Sequence, residues 1–266
     1  MTRNRVYLSE EEISHFVPYL DLYILDKILR KDLVRPLVLI CSGGGYFFCN
    51  PRETESIALA LNAVGFNAAV LYYSTEKETH YPKQFIEAAK AMEYLKMNAK
   101  EFSSDPEKVY ALGFSAGGHL VACLGTLWNK EPSVQGIDCR PRGVLLSYAV
   151  TLSGEFENKT TIDNLCGDDA ALRKKISLED KVDCETPSFF IWHTYEDSLV
   201  PVENALFFAS SLRRNKVPFE LHIYQRGPHA LSLGEDFTSE TPDQINRHAA
   251  SWIRLAISWI RNDFVE

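Results

Sequence analysis

The chain has 266 residues, 45% of them hydrophobic, and a formal net charge of −8 at pH 7. That length and apolar content are enough for one large core, so we predict a single domain over residues 1–266. The acidic residues are scattered and no block of Lys and Arg is interleaved with aromatic residues, which argues against a nucleic-acid-binding protein.

The N-terminal segment and the cysteines predict a cytoplasmic protein that does not bind membranes. An acidic run, not an apolar signal region, follows the first residues, and no stretch approaches the roughly 18 uncharged apolar residues of a membrane-spanning helix. The six cysteines form no C-x-x-C pair and lack the spacing of a zinc site. Because cytosolic thiols normally stay reduced, we interpret them mostly as small core or loop residues.

The first predicted elements are two apolar strands. Residues 19–26 place Leu20, Leu22 and Ile24 on one face. Arg35–Cys41 is a continuous apolar run, which is typical of a parallel strand buried on both faces.

A glycine-rich loop, Ser42-Gly-Gly-Gly-Tyr46, follows the second strand. Glycines at the carboxyl end of a central strand let backbone N–H groups turn inward, and the N–H groups of Gly44 and Gly45 are candidate donors to an oxyanion. The alternatives are a flexible turn and a phosphate-binding loop. The second is disfavoured because no Lys-Ser/Thr follows and no G-x-G-x-x-G is present.

The next segments alternate between helix and strand. The pattern predicts a helix over 54–64, a strand over 66–73 and a longer helix over 82–100. Such an order predicts an α/β fold with a mostly parallel, doubly wound sheet.

The sequence Gly113-Phe-Ser-Ala-Gly117 has the G-x-S-x-G pattern of a nucleophile elbow. The apolar residues 109–112 predict a strand before it, and residues 117–128 predict a helix after it. In this setting Ser115 is the candidate nucleophile, and the N–H of Ala116 is a second candidate oxyanion donor. The alternative is a glycine-rich turn whose serine has no chemical role.

A strand is predicted over 143–149, and residues 151–185 form the one long region with weak periodicity. Long loops in compact domains are often functional, so we expect a small cap or active-site edge from about residue 150 to 185. Within it, a short helix is predicted to begin at 177–180.

Two further polar residues follow predicted strands. Asp197 comes shortly after an apolar strand at 187–194, with Glu196 as the alternative acid, and His229 follows the strand Phe219–Tyr224. A carboxylate can orient a histidine and stabilise its imidazolium while that histidine removes the proton of a serine. The chain order Ser115, Asp197, His229 is consistent with such a triad. A last amphipathic helix is predicted over 244–262.

Several residues near these loops are candidates for lining a substrate pocket, although aromatic residues at such positions are as often in the core. His193 lies four residues before Asp197. The candidates are Tyr46, Phe47, Phe114 and His193.

Four motifs together resemble the esterase/lipase family of α/β hydrolases, in particular the small bacterial acetyl esterases related to acetylxylan and feruloyl esterases. The resemblance covers most of the chain and implies an eight-stranded sheet, no metal or organic cofactor, and hydrolysis of short acyl esters, including esters of sugars or oligosaccharides. The expected partner is therefore a small-molecule ester, and a homo-oligomer remains open. Ser42 departs from the family pattern, which often has His or Pro at that position. The motifs are Cys41-Ser-Gly-Gly-Gly-Tyr46, Gly113-Phe-Ser-Ala-Gly-Gly-His119, Trp192-His-Thr-Tyr-Glu-Asp197 and Gly227-Pro-His229.

Two other functions are compatible with the same fold. An amidase or aminopeptidase would need an acidic group for the substrate amine, for which Glu53 or Glu55 is available. A non-catalytic binding protein would be expected to have lost part of the triad, whereas all three residues are present here.

Overall fold

The computed structural model describes residues 2–8, 16–26, 32–75 and 80–263. One eight-stranded sheet organises them, with the strand order β1-β2-β4-β3-β5-β6-β7-β8. The strands are β1 (Thr2–Tyr7), β2 (Tyr19–Ile24), β3 (Arg35–Cys41), β4 (Asn67–Tyr72), β5 (Ser104–Phe114), β6 (Gly143–Ser147), β7 (Ser188–Thr194) and β8 (Phe219–Tyr224). From β4 to β8 the neighbouring strands are parallel, while β1 and β2 form an antiparallel edge.

Helices cover both faces of this sheet. The described α-helices are α1 (Glu55–Ala63), α2 (Lys83–Asn98), α3 (Ser115–Thr126), α4 (Lys159–Cys166), α5 (Ala170–Lys175), α6 (Glu203–Arg214) and α7 (Trp252–Asn262). None of the helices in the described ranges is long and apolar enough to cross a lipid bilayer. The predicted fold class, a mostly parallel and doubly wound eight-stranded sheet, is confirmed.

The position of β3 in the middle of the sheet explains why its sequence is apolar without interruption. Leu37 and Leu39 belong to the core under α2, α3 and α6, whereas Val38 and Ile40 belong to the core under α1 and α7. Successive side chains of a strand point to opposite faces, so a strand covered on both sides must be apolar at every position.

The sequence did not predict β1, because its residues are largely polar. The strand is held through its partner: Arg5 donates to both carboxylate oxygens of Asp21 in β2, at 2.8 and 3.0 Å, and its guanidinium lies 3.9 Å from the centre of the Tyr19 ring. Both contacts join residues far apart in sequence, which a local pattern does not reveal.

The long segment after β6 folds differently from the prediction. It contains α4 and α5, and no helix begins at 177–180, where the chain instead makes a turn beside Thr151. Asn158 and Asp169 start the two helices, because each side chain accepts a hydrogen bond from a backbone N–H in the first turn, at 2.9 Å. The last helix is also shorter than predicted, since short 3₁₀ turns precede α7.

Candidate active site

Ser115 lies at a sharp junction between β5 and α3. Its backbone has φ of 51°, a left-handed conformation that is uncommon for a residue other than glycine. The flanking glycines make the junction possible: a Cβ on Gly113 would lie 2.2 Å from the carbonyl oxygen of Gly117, and one on Gly117 would lie 2.2 Å from that of Cys41. The motif is therefore built as a strand, a strained turn and a helix, with the serine at the turn.

Three polar side chains meet at this edge of the sheet. His229 Nε2 is 2.8 Å from Ser115 Oγ, and His229 Nδ1 is 2.6 Å from Asp197 Oδ2. A carboxylate only accepts hydrogen bonds, so Nδ1 carries the proton and Nε2 is left to accept the proton of the serine. The arrangement can remove a proton from Ser115 and hold the resulting imidazolium.

Asp197 is buried, and the groups that donate hydrogen bonds to its carboxylate keep it ionised. Its Oδ1 accepts from the N–H groups of Leu199 and Val200, at 3.0 and 2.9 Å. Burial disfavours the charged form, but hydrogen bonds from His193 and His229 outweigh it and hold the pKa of Asp197 well below its usual range. Glu196, the alternative acid, is exposed and accepts from the N–H of Gly227 instead.

The glycine-rich segment, residues 42–46, forms a second wall, which we call the oxyanion loop after the role predicted for it. Gly44 and Gly45 have φ of 120° and 61°, and a Cβ on Gly44 would lie 2.0 Å from the carbonyl oxygen of Phe48. Among the described residues, neither glycine N–H donates to a protein acceptor. The N–H of Ala116 lies in the first turn of α3, where helical N–H groups have no acceptor within the helix.

Neighbouring side chains hold the oxyanion loop in place. Tyr73 donates from its hydroxyl to the carbonyl of Ser42 at 2.7 Å, and Asn164 of α4 donates to the carbonyl of Gly45 at 2.8 Å. Ser42 stands where the family often has His or Pro, but the loop is still held by these hydrogen bonds to its backbone carbonyls. Asn164 was not predicted from the sequence, since its position over the loop depends on the fold of the long segment.

Tyr46 was predicted to line the pocket, and the structure corrects this: the residue is 3% exposed and packs in the core. Its hydroxyl lies 2.8 Å from His119 Nδ1, and His119 Nε2 lies 3.0 Å from the carbonyl oxygen of Ile176. Since that carbonyl only accepts, His119 carries its proton on Nε2 and receives one from Tyr46 at Nδ1. Burial lowers the pKa of His119 to about 4, so it stays neutral. Tyr46 and His119 thus support the loop from behind.

A cavity of about 590 Å³ opens in front of Ser115 and His229. Of the predicted pocket residues, Phe47 lines it and is 66% exposed. Phe114 and His193 do not: each is 0% exposed, Phe114 against Tyr148 and Trp252 in the core, and His193 behind Asp197. Phe114, next to Ser115 in sequence, points away from it, because successive side chains of a strand point in opposite directions.

Most of the residues that line this cavity were missed by the sequence analysis. They carry mainly amide, hydroxyl and charged groups, and the polar residues of α4 could be recognised only once that helix was known. Besides the predicted Gly44, Gly45, Phe47, Ser115 and His229, and Glu53, which was named for the amidase alternative, the lining consists of Phe48, Asn50, Arg52, Asn158, Thr160, Thr161, Asn164, Leu199, Ala230, Glu240 and Gln244. Within the described ranges, no group of three or more His, Cys, Asp or Glu side chains is arranged to hold a metal ion.

Comparison with known proteins relates this geometry to esterases. The family described as BD-FAE matches residues 20–212. The crystal structure of an acetyl ester-xyloside bifunctional hydrolase from Caldicellulosiruptor lactoaceticus superimposes with a TM-score of 0.86 and 32% identity, covering 97% of this chain and 96% of that one.

Curated relatives include a xylanase and an acetylxylan esterase. The endo-1,4-beta-xylanase B of Butyrivibrio fibrisolvens is 35% identical over 83% of this chain, and the acetylxylan esterase of Xylanibacter ruminicola is 27% identical over 80% of it. The chain spans only 36% and 44% of the lengths of these two relatives.

Proposed function

Since this chain belongs to the BD-FAE family, we propose that it is a serine esterase that hydrolyses short acyl esters, above all acetyl esters of sugars or oligosaccharides. The observation that carries the proposal is the hydrogen-bonded series from Asp197 through His229 to Ser115. The relatives named as acetyl-ester and acetylxylan hydrolases support the choice of acyl group and alcohol.

In the first half of the reaction, Ser115 Oγ attacks the ester carbonyl while His229 Nε2 takes its proton. Asp197 accepts from Nδ1 throughout and stabilises the imidazolium that forms. The carbonyl oxygen becomes negatively charged and receives hydrogen bonds from the N–H of Ala116 and from Gly44 or Gly45. Each such donor contributes on the order of 3 kcal/mol to the transition state.

The first half ends when this tetrahedral intermediate collapses: the ester C–O bond breaks, the imidazolium of His229 gives its proton to the leaving alcohol, and an acyl group remains on Ser115. In the second half, water enters at the position of the alcohol, and the same histidine removes a proton from it. The second tetrahedral intermediate then collapses: the bond between the acyl carbon and Ser115 Oγ breaks, His229 returns its proton to that oxygen, and the acid is released.

The walls of the cavity favour a short acyl group and a polar alcohol. A Cβ on Gly45 would lie 3.6 Å from Thr161 Oγ1, so α4 packs directly against the oxyanion loop. A long acyl chain would have to cover the exposed hydroxyl of Thr160 and the side-chain oxygen of Asn164, whose nitrogen already donates to Gly45, without replacing the hydrogen bonds that water makes to them, which is unfavourable. The same groups, with Asn158 and Gln244, offer donors and acceptors to the hydroxyls of a sugar.

The amidase alternative is less well supported. Glu53 is 1% exposed, and each of its carboxylate oxygens already accepts a hydrogen bond from the protein. Glu55 is exposed at the start of α1 and does not belong to the lining of the cavity. Neither glutamate is therefore placed to receive a substrate amine.

Turnover of a graded set of substrates tests the proposal. With a constant nitrophenol leaving group, kcat/KM should fall by at least about tenfold, or 1.4 kcal/mol in the barrier, from acetyl to octanoyl. An acetylated sugar should also be hydrolysed, while the matching nitroanilide should be turned over far more slowly. A maximum at eight carbons, or equal turnover of the amide, would contradict the proposed specificity.

A further inference from the structure

A buried carboxylate lies beneath the oxyanion loop and has no part in the mechanism above. Glu53 Oε2 accepts from the N–H of Gly43 at 2.7 Å, and Glu53 Oε1 accepts from the hydroxyl of Tyr148 at 2.8 Å. The carbonyl of Gly43 is also engaged, by the N–H of Asn50 at 3.0 Å. Glu53 therefore holds the N–H of the residue that precedes Gly44 and Gly45, two glycines that line the cavity beside Ser115.

The same carboxylate is connected to the segment that carries the general base, residues 227–232, which we call the histidine loop. The Tyr148 hydroxyl that donates to Glu53 also accepts from the N–H of Ser232, at 2.9 Å. The ring of Tyr148 packs edge-on against His229, with 5.1 Å between ring centres. One hydroxyl thus links the two loops on either side of the nucleophile.

Arg52 adds a second connection to the histidine loop. Its Nη2 donates to the carbonyl of Ala230 at 2.9 Å, and its own carbonyl accepts from the hydroxyl of Ser232 at 2.6 Å. Ala230 and Ser232 both have left-handed backbones, with φ of 61° and 52°. Such conformations are costly for residues with a side chain and persist only where surrounding contacts hold them.

We propose that Arg52, Glu53 and Tyr148 form a clamp that holds the oxyanion loop and the histidine loop in a fixed relative position, with Glu53 as its central positioning residue. The inference rests on the proposed function for its catalytic consequence, but the clamp itself is a property of the two loops. A donor to the oxyanion and a base that serves the same serine must be placed within about 0.5 Å of their working geometry. The clamp connects these two groups through side chains at consecutive positions, Arg52 and Glu53.

The charges around Glu53 agree with this role. Burial raises the pKa of Glu53 above its ordinary value, while hydrogen bonds from Tyr148 and Gly43, the charge of Arg52 and the charge that His229 carries when protonated limit that rise. Two donors that point at one carboxylate favour its ionised form. An amide of the same shape can accept only through its single oxygen, so Glu53→Gln leaves one of the two donors without an acceptor.

The chain offers a matched control in Glu87 of α2. This carboxylate is 6% exposed and likewise accepts one backbone N–H and one hydroxyl, both from Ser74, at 2.8 and 2.5 Å. Glu87→Gln therefore makes the same chemical change in a buried carboxylate that contacts neither loop directly. A general cost of losing a buried hydrogen bond should appear equally in both variants.

Two measurements on the full chain test the clamp, the first without reference to activity. In Glu53→Gln, amide hydrogen exchange should accelerate at least about tenfold in peptides that cover residues 42–46 and 230–233. In Glu87→Gln the faster exchange should be confined to the region of Ser74. Equal exchange of the two loops in wild type and Glu53→Gln would overturn the clamp, whatever the protein hydrolyses.

The second measurement is the hydrolysis of an acetyl ester. Glu53→Gln should lower kcat about 10- to 100-fold with KM changed less than about threefold, because the misplaced donors act on the transition state. Glu53→Asp keeps the charge but is too short to reach both donors and should not restore kcat. Equal losses of kcat in Glu53→Gln and Glu87→Gln would reduce Glu53 to a general stabilising residue and overturn the proposal. A wild type that hydrolyses no ester would refute the proposed function and leave the exchange result standing.

Discussion

At the scale of single residues, Asp197 and Glu196 differ in where the chain places their oxygen atoms. Asp197 is buried, and its Oδ2 faces both His229 and His193. Glu196 is its exposed neighbour and accepts from the backbone N–H of Gly227. Adjacent positions in the sequence thus give one carboxylate that orients the histidine and one that only supports the loop behind it.

Asp197→Asn should lower kcat by about 10⁴, because an amide in this position can donate to the histidine and favours the wrong imidazole tautomer. Glu196→Gln, which leaves the Asp197–His229 contact unchanged, should lower kcat less than about tenfold. The two variants are compared by steady-state hydrolysis of one acetyl ester. A larger loss in Glu196→Gln would identify Glu196 as the acid.

At the scale of elements, the elbow depends on close approach of two backbones. A Cβ on Gly117 would lie 2.2 and 2.3 Å from the carbonyl oxygens of Cys41 and Ser42, which cannot move without distorting β3. Gly125, in the same helix, meets mainly side-chain atoms of Phe189 and Val144, at 2.8 and 3.1 Å. The side chains of Phe189 and Val144 can rotate to make room for a methyl group, whereas the backbone carbonyls next to Gly117 cannot.

Gly117→Ala should therefore destabilise the fold by more than about 3 kcal/mol or prevent soluble folding, whereas Gly125→Ala should cost about 1 to 2 kcal/mol. Urea denaturation of both variants measures the difference. A loss below about 1 kcal/mol in Gly117→Ala would contradict the close backbone contact at this turn.

The sequence was most informative where an element's environment is uniform. The predicted strands Arg35–Cys41 and Phe219–Tyr224 have the same bounds in the structure: the first is an apolar run that ends before Ser42, and the second alternates apolar and polar residues along its length. The polar strand β1 and the helices α4 and α5 were not predicted, since they depend on distant contacts such as Arg5 with Asp21 and on short helices with local N-caps.

The candidate site was predictable to a similar degree. The motif and the chain order were enough to select Ser115, Asp197 and His229, which the structure brings into hydrogen-bond contact. They were not enough to say which neighbouring side chains face the cavity. Phe114 follows the nucleophile strand into the core, whereas Asn164, far away in sequence, reaches the oxyanion loop.

At the scale of the whole molecule, the carboxylate of Asp263 joins the C-terminal end of α7 to the sheet. Asp263, directly after α7, accepts from Arg142 Nε at 2.6 Å and Nη2 at 2.5 Å, and also from the hydroxyl of Tyr110 in β5. Hydrogen bonds from Arg142, opposed by partial burial and helped by Tyr110, lower the pKa of Asp263 to about 2. The contact joins the last helix to the centre of the fold.

The lowered pKa of Asp263 predicts how the free energy of unfolding changes with pH. The folded-state pKa lies below the ordinary value of 3.8, so the stabilisation is fully present above about pH 4 and is lost as the pH falls toward 2. Asp263→Asn should reduce the free energy of unfolding at pH 7 by about 1 kcal/mol, allowing for solvent screening of this partly exposed pair. The difference from wild type should shrink below pH 4. Denaturation at pH 7 and pH 3 tests this, and a difference that grows on acidification would contradict the assignment.

The most direct test of the account is to ask whether Ser115 is the one nucleophile. Intact-mass and peptide mass spectrometry after treatment with a fluorophosphonate should find one adduct per chain, on the peptide that contains Ser115, with esterase activity lost in proportion. Ser115→Ala should give no adduct and should lose acetyl-ester hydrolysis by several orders of magnitude with little change in melting temperature, because only one small hydroxyl is removed. An adduct on another residue, or an Ser115→Ala variant that retains turnover, would contradict the central claim.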